Sequence, residues 1–231
     1  MEQKKLDKFW SLKEGDILNN KKIIKIEFLE DEYSQDHKKI FTLENNNKYL
    51  LDNSGLEKIK VVVGHQSYNE SWNLDKTSLE YIKQTIKKNN LKLILEIGTY
   101  NALTTISFSE ISKDIKVTTI EIDKEFIKIA KENIEKNKIK NIILMGGDAK
   151  EILKQLKEQN QTFDLIFIDA RKSEYKEYLI QSLKLIKRGF IYIDNTISHK
   201  AKLTDFFNYL KESKLNWKEL NLGKGLIEIK V

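Results

Sequence analysis

Two apolar runs in the second half of the chain end in carboxylates. In "FIDARKSEYKEY", residues 167 to 178, Asp169 closes one run and is followed by Arg171 and Lys172; in "IYIDNTI", residues 191 to 197, Asp194 and Asn195 close another. Oxygens of this kind accept hydrogen bonds or hold a hard cation. The chain has no cysteine and three scattered histidines (His37, His65, His199), so any metal has to be held mainly by oxygen. Three runs upstream repeat the pattern. "LILEIGTYNALTT" ends in Glu96 and turns at Gly98, "KVTTIEID" places Glu121 twenty-five residues after Glu96, and "MGGDAKEIL" leads through Gly146 and Gly147 to Asp148. An ionised carboxylate offers only acceptors, so Glu121 at a strand end suits a pair of ribose hydroxyls and Asp148 an adenine amino group. The set suggests an adenosine ligand, although the dinucleotide pattern G-x-G-x-x-G is absent and Ala102 stands where a second glycine would be.

These residues share an address only if the runs are strands of one sheet. From residue 76 onward, strand-length apolar runs alternate with amphipathic segments, the sign of βαβ units around a parallel sheet. The spacing predicts helices over 76–89, 102–112, 124–136, 149–158, 173–187 and 199–213. Strands are predicted over 92–97, 116–122, 141–145, 163–169, 190–194, 216–221 and 225–230. In such a sheet ligands bind outside the carboxyl ends of the strands, where strand order reverses, and Asp169, Asp194 and Asn195 are expected to converge there. A strand-end carboxylate can also cap the next helix, and that alternative is strong for Asp123 and Asp148.

Residues 15–63 follow another grammar. "KKIIKIEFL", "KIFTLENNNKYLL" and "IKVVVG" read as a small antiparallel sheet, with a hairpin turning at "ENNN". The expected organisation is a β-rich appendage over residues 1–70, then an α/β, Rossmann-like domain over 71–231 whose mostly parallel sheet carries helices on both faces. In the link "HQSYNESWN", Tyr68 and Trp72 either pack a hinge or wall a flat ligand, with the hinge favoured.

Composition sets outer limits. With 231 residues and 40% hydrophobic content the chain can bury a full core. Residues 1–75 carry 12 lysines against 14 acidic residues, whereas residues 76–231 carry 29 basic against 21 acidic ones. The basic excess of the second part can attract anions, but lysine-rich helix faces are most often simply solvated. No run approaches the roughly 18 apolar residues of a membrane span, and the N-terminus lacks the apolar stretch of a signal peptide, so a cytoplasmic location without membrane partners is expected.

Read in order, "LEIGTYNALTT", "TTIEID", "GDA", "FDLIFIDARKSEY" and "YIDNT" resemble the class I S-adenosylmethionine-dependent methyltransferases. More narrowly, they resemble the metal-dependent O-methyltransferases related to catechol and caffeoyl-coenzyme A O-methyltransferases, over about residues 76–231. The resemblance implies that Glu96, Gly98, Tyr100 and Thr104 line the amino-acid end of S-adenosylmethionine. Glu121 would hold the ribose, Ile122 would lie against adenine, and Asp148 and Ala149 would meet its edge. Asp169, Asp194 and Asn195 would bind a divalent cation, expected to be Mg²⁺, and Lys172 matches the family's catalytic lysine. The sequence departs from the family's pattern at Arg171, a position often acidic in bacterial and plant relatives, and at Ala102.

The implied activity is methyl transfer to a hydroxyl of a small chelating or aromatic acceptor. One alternative is methylation of a hydroxylated nucleotide in tRNA. Another is a cofactor-binding protein without turnover, against which the intact metal and lysine positions speak. The appendage is left three roles: covering the pocket, pairing two chains as a homodimer, or holding a larger substrate such as RNA. Its net negative charge argues against a strong nucleic-acid platform of its own.

Overall fold

The computed structural model describes residues 11–29, 38–44, 48–52, 55–59 and 73–231. Contacts divide the chain into two units, Met1–Trp72 and Asn73–Val231. The first is an antiparallel meander of β1 (Ile17–Leu18), β2 (Lys21–Leu29), β3 (Lys38–Leu43), β4 (Lys48–Asp52) and β5 (Gly55–Ile59), paired in sequence order. Asn19 and Asn20 join β1 to β2 with φ of 52° and 60°, the left-handed conformation that a two-residue hairpin loop demands and asparagine tolerates. Leu18, Ile23, Phe41, Leu43 and Leu51 form its core. β3 and β4 pair as the predicted hairpin. Of the predicted strand "IKVVVG" only its first residue, Ile59, lies in β5; the rest, together with Tyr68 and Trp72, falls outside the described residues.

The second unit alternates strands and helices. In chain order these are α1 (Lys76–Asn89), β6 (Leu93–Ile97), α2 (Leu103–Ser109), β7 (Lys116–Glu121), α3 (Lys124–Lys136), β8 (Ile142–Gly146), α4 (Ala149–Glu158), β9 (Phe163–Ile168), α5 (Tyr175–Ser182), β10 (Ile186–Asp194), α6 (Thr204–Glu212), β11 (Asn216–Leu220) and β12 (Leu226–Lys230). Short 3₁₀ turns, Lys172–Glu174 and Lys200–Leu203, precede α5 and α6. The sheet order is β11-β12-β10-β9-β6-β7-β8, parallel from β10 to β8, with β12 antiparallel to both β10 and β11. Strand order reverses between β6 and β9, so a ligand crevice belongs at their carboxyl ends.

Both sheet faces are covered, which is why the central strands read as continuous apolar runs. One core packs Ile166, Ile168, Ile191 and Ile193 against α4, α5 and α6 residues such as Leu153, Leu179 and Phe206. On the other face Leu165, Phe167 and Tyr192 meet Ile82 and Ile86 of α1. Asp75 caps α1 by accepting from the N–H groups of Thr77 and Ser78, and Asn90 ends the helix with φ of 51°. Among the described residues no helix is long and apolar enough to cross a membrane.

Several boundaries differ from the sequence reading. The helix predicted over 173–187 stops at Ser182, and β10 begins at Ile186 rather than 190. Leu183, Leu185 and Ile186 suit a buried helix and a buried strand equally, so periodicity alone cannot separate them. A register shift between Ile186 and Phe190 accompanies Gly189, where a Cβ would lie 2.0 Å from the carbonyl oxygen of Asp164. The helix predicted over 102–112 ends at Ser109, and the first turn of 199–213 is 3₁₀. Phe108 and Phe167 meet edge to face at 5.9 Å and are both fully buried, so Phe108→Ala is expected to lower unfolding stability by about 3–5 kcal/mol. Urea unfolding of the two proteins checks this.

Candidate active site

The carboxyl ends of β6, β7, β9 and β10 carry the acidic residues singled out in the sequence. The turn after β6 is shaped by its neighbour: Gly98 has φ of 99°, and a Cβ there would sit 1.9 Å from the carbonyl oxygen of Asp169. Asp169 N–H donates to Ile97 O at 2.9 Å, stitching the same seam. Glycine at 98 thus serves the approach of two backbone segments of the chain. The turn continues through Tyr100 and Ala102, with φ of 51° and 63°. Ala102 adopts the left-handed conformation that a glycine would take without strain.

Two buried carboxylates hold this turn. Glu96 and Thr119 are register partners on β6 and β7 and so share a face of the sheet. Glu96 Oε2 accepts from the hydroxyls of Thr105 and Thr119, the latter at 2.7 Å. The hydroxyls of Thr99 and Thr119 meet at 2.6 Å, which joins Thr99 to the same network. Burial pushes the Glu96 carboxyl up to about 8, against the lowering effect of its two hydroxyl donors, while Asp169 and Glu121 add like charge. Glu121 is anchored by backbone: Oε2 accepts from Thr99 N at 3.2 Å and Tyr100 N at 2.8 Å, and Oε1 from Ile122 N at 2.9 Å and Asp123 N at 3.0 Å. Burial raises its carboxyl too, with these bonds opposing.

The β9 and β10 ends form the second half. Lys172 Nζ donates to Asp169 Oδ1 at 2.7 Å and to Ala170 O at 3.2 Å, and lies 5.1 Å from the centre of the Tyr175 ring. Asp194 is 3% exposed; its Oδ2 accepts from the Asn195 amide, while Oδ1 is buried without a hydrogen-bond partner. Burial, then the charge of Asp169, pushes the Asp194 carboxyl up to about 7. Among the described residues no three Asp, Glu or His side chains are grouped to hold a metal, so a cation here would rest on two carboxylates and the Asn195 amide. That donor set fits a hard cation, because a buried carboxylate oxygen with no donor and a second carboxylate beside it both gain from positive charge. Asn195 has φ of 63°, and the turn beyond it is pinned by Thr196 N to Gly225 O and Ile197 N to Lys224 O, each 3.0 Å.

The remaining sequence candidates divide. Asp148 and Asp123 cap α4 and α3, as the helix-capping alternative has it. Ile122 is 48% exposed beside Glu121, available to a flat ligand, whereas Ala149 is buried in the first turn of α4. Thr104 is half-buried; the threonine that reaches Glu96 is its neighbour Thr105. Thr99, Thr105 and Thr119 were not singled out. For Thr119 the signal was the alternation of "TTIE", which puts Thr119 and Glu121 on one face of β7.

The family model described as O-methyltransferase matches residues 44–221. The chain belongs to the O-methyltransferase family. A caffeoyl-CoA O-methyltransferase of Citrus natsudaidai is 33% identical over 135 residues, 54% of this chain and 58% of the relative. A catechol O-methyltransferase of Niastella koreensis is 32% identical over 117 residues, 49% of this chain and 53% of the relative. The chain spans about half the length of the curated O-methyltransferases it matches. A Staphylococcus aureus structure described as a candidate caffeoyl-CoA O-methyltransferase aligns with a TM-score of 0.64 at 31% identity, over 69% of this chain and 85% of that one. An O-methyltransferase from Bacillus cereus in complex with SAH shares the fold, with a TM-score of 0.62 at 24% identity over 69% and 82% of the two chains.

Glu96 generates a stability prediction with a definite sign. Its folded carboxyl titrates near 8 against 4.5 for a free glutamate, so the native state binds the proton more tightly. The stabilisation this provides is complete below pH 4.5 and is lost as pH rises through 8. Glu96→Gln keeps the shape and cannot ionise. Its stability relative to the parent is expected to rise between those limits, read from urea midpoints across the pH series; parallel curves would show that Glu96 does not titrate there.

Proposed function

We propose that this chain is an S-adenosylmethionine-dependent O-methyltransferase that acts, with a divalent cation such as Mg²⁺, on a hydroxyl of a small chelating acceptor. The observation that carries the reading is the pairing of Lys172 with Asp169 at 2.7 Å beside Asp194, whose buried Oδ1 has no partner. Relatives named as caffeoyl-CoA and catechol O-methyltransferases support an acceptor with oxygens placed to chelate.

Asp169, Asp194 and Asn195 would hold the cation. When bound, it supplies a Lewis acid that lowers the pKa of a coordinated hydroxyl. As the neutral amine, Lys172 would be the group to take that hydroxyl's proton: its nitrogen is tethered at the edge of the donor set, 5.1 Å from the centre of the Tyr175 ring. The methyl donor supplies an already activated methyl group, so what the chain adds is orientation. Tyr100 and Thr104 lie in and just after the turn expected to receive its amino-acid end, beside the Glu96 network, and Ile122 offers an exposed apolar surface to adenine. Ribose binding at Glu121 requires an exchange. A carboxylate has about four acceptor positions, and four backbone N–H groups already occupy them. The Thr99 donor, at 3.2 Å, is the most readily given up.

Transfer of labelled methyl from S-adenosylmethionine to a catechol-type acceptor, with Mg²⁺ and with EDTA, tests the proposal. Turnover with Mg²⁺ and its loss in EDTA are expected, and transfer to tRNA in place of the small acceptor would move the assignment to methylation of a hydroxylated nucleotide. Lys172→Ala is expected to lower kcat by about 10²- to 10⁴-fold, the usual contribution of a positioned acid or base. Cofactor affinity measured by calorimetry should stay within about 3-fold, since Lys172 is assigned to the reacting proton alone. A weakened cofactor affinity at full kcat would contradict the assignment.

A further inference from the structure

Arg171, one of the two positions at which the sequence departs from the pattern of the family it resembles, has a partner three residues on. Its Nη1 donates to Glu174 Oε1 at 3.2 Å; Lys150 Nζ donates to the same oxygen at 2.8 Å, and the Tyr178 hydroxyl donates to Glu174 Oε2. The Glu174 side chain is 16% exposed. Burial alone would raise its carboxyl, but the bonds from Lys150 and Tyr178 and the charge of Arg171 outweigh this and hold it below the usual glutamate range. One carboxylate therefore gathers three donors from three segments, the turn after β9, α4 and α5, unlike an isolated surface ion pair.

The elements so joined matter. Glu174 closes the 3₁₀ turn that begins at Lys172. Such a turn has few hydrogen bonds of its own and poor geometry in them, so side chains must set its position. At one end Lys172 is tied to Asp169, and Tyr175 donates to Asp194 O at 3.2 Å. At the other, Glu174 reaches Lys150, whose backbone N–H is bound to Asp148 in the first turn of α4. The chain Asp148–Lys150–Glu174 thus runs from the end of the site assigned to adenine to the turn that carries the proton acceptor.

We propose that Glu174 is a positioning residue: by bridging Lys150 and Arg171 it holds the Lys172 turn at a set place relative to the N-terminus of α4. The effect on turnover rests on the reading of Lys172 given above, whereas the bridge itself does not. Glu174 touches neither acceptor nor methyl donor, so its loss acts on kcat through misplacement of Lys172.

The test pairs a substrate-free measurement with kinetics on the full chain. Hydrogen exchange over residues 171–175 is compared among the parent, Glu174→Leu and Lys150→Met. About 10-fold faster exchange in both variants is expected, the scale of losing a hydrogen bond to a charged group, and unchanged exchange overturns the bridge. With S-adenosylmethionine, Mg²⁺ and a catechol-type acceptor, Glu174→Leu is expected to lower kcat by about 10- to 100-fold while both KM values stay within about 3-fold. Glu174→Gln, which keeps an acceptor oxygen for Lys150, should recover most of the loss. An unchanged kcat in Glu174→Leu, or kcat and KM damaged together without recovery in Glu174→Gln, overturns the positioning role. If the parent itself transfers no methyl group, the proposed function fails, and the exchange comparison alone decides the bridge.

Discussion

The site depends on a contact with no room in it. The carbonyl of Asp169 occupies the space that a side chain on residue 98 would need, and its N–H binds the end of β6. This seam lies where strand order reverses, so two turns of opposite progression must leave the sheet side by side. One carries the acidic and threonine residues of the expected cofactor end, the other carries Asp169 and Lys172. A glycine whose φ is positive lets them abut, and everything downstream inherits that spacing: the pairing of Lys172 with Asp169, the proximity of Asp194, and the path of the turn through Ala102.

Three buried carboxylates crowd this edge, and the chain treats each differently. Burying an ionised carboxylate is costly unless donors compensate it. Glu121 receives four backbone N–H groups and is the best compensated. Glu96 receives two hydroxyls on one oxygen and is driven toward its neutral form. Asp194 receives a single amide on one oxygen and nothing on the other. Outside positive charge would help in the reverse of this order, most where compensation is least, which selects Asp194 with Asp169 as the place for a cation. Glu121, already satisfied, has instead to exchange a donor to accept a ribose.

Much of this was legible in the sequence. The βαβ alternation, the helices over 76–89, 124–136 and 149–158, and the strand-end positions of Glu96, Glu121, Asp169 and Asp194 follow from periodicity and from the rule that such sheets present their strand ends to ligands. The antiparallel hairpin of β3 and β4 followed from its turn residues. What escaped was tertiary in origin. The early start of β10 turns on a bulge at Gly189 set by a neighbouring strand, and the 3₁₀ turns before α5 and α6 leave no periodic trace. The glycine at 98 was visible, but its cause, the backbone of another strand, was not. Thr105 is separated from its neighbour Thr104 only by which of them faces β6. Arg171 stood out as a departure, yet its meaning required seeing Glu174 and Lys150 meet it.

The central claim is that Asp169, Asp194 and Asn195 form a cation site at the edge of the sheet beside Lys172. Crystals of the full chain soaked in Mn²⁺ and examined by anomalous diffraction test it most directly. The account predicts one strong anomalous peak in contact with side-chain oxygens of all three residues, absent from crystals of Asp194→Asn. A peak elsewhere, or none at saturating Mn²⁺, would contradict it and leave the buried Asp194 oxygen without the partner assigned to it.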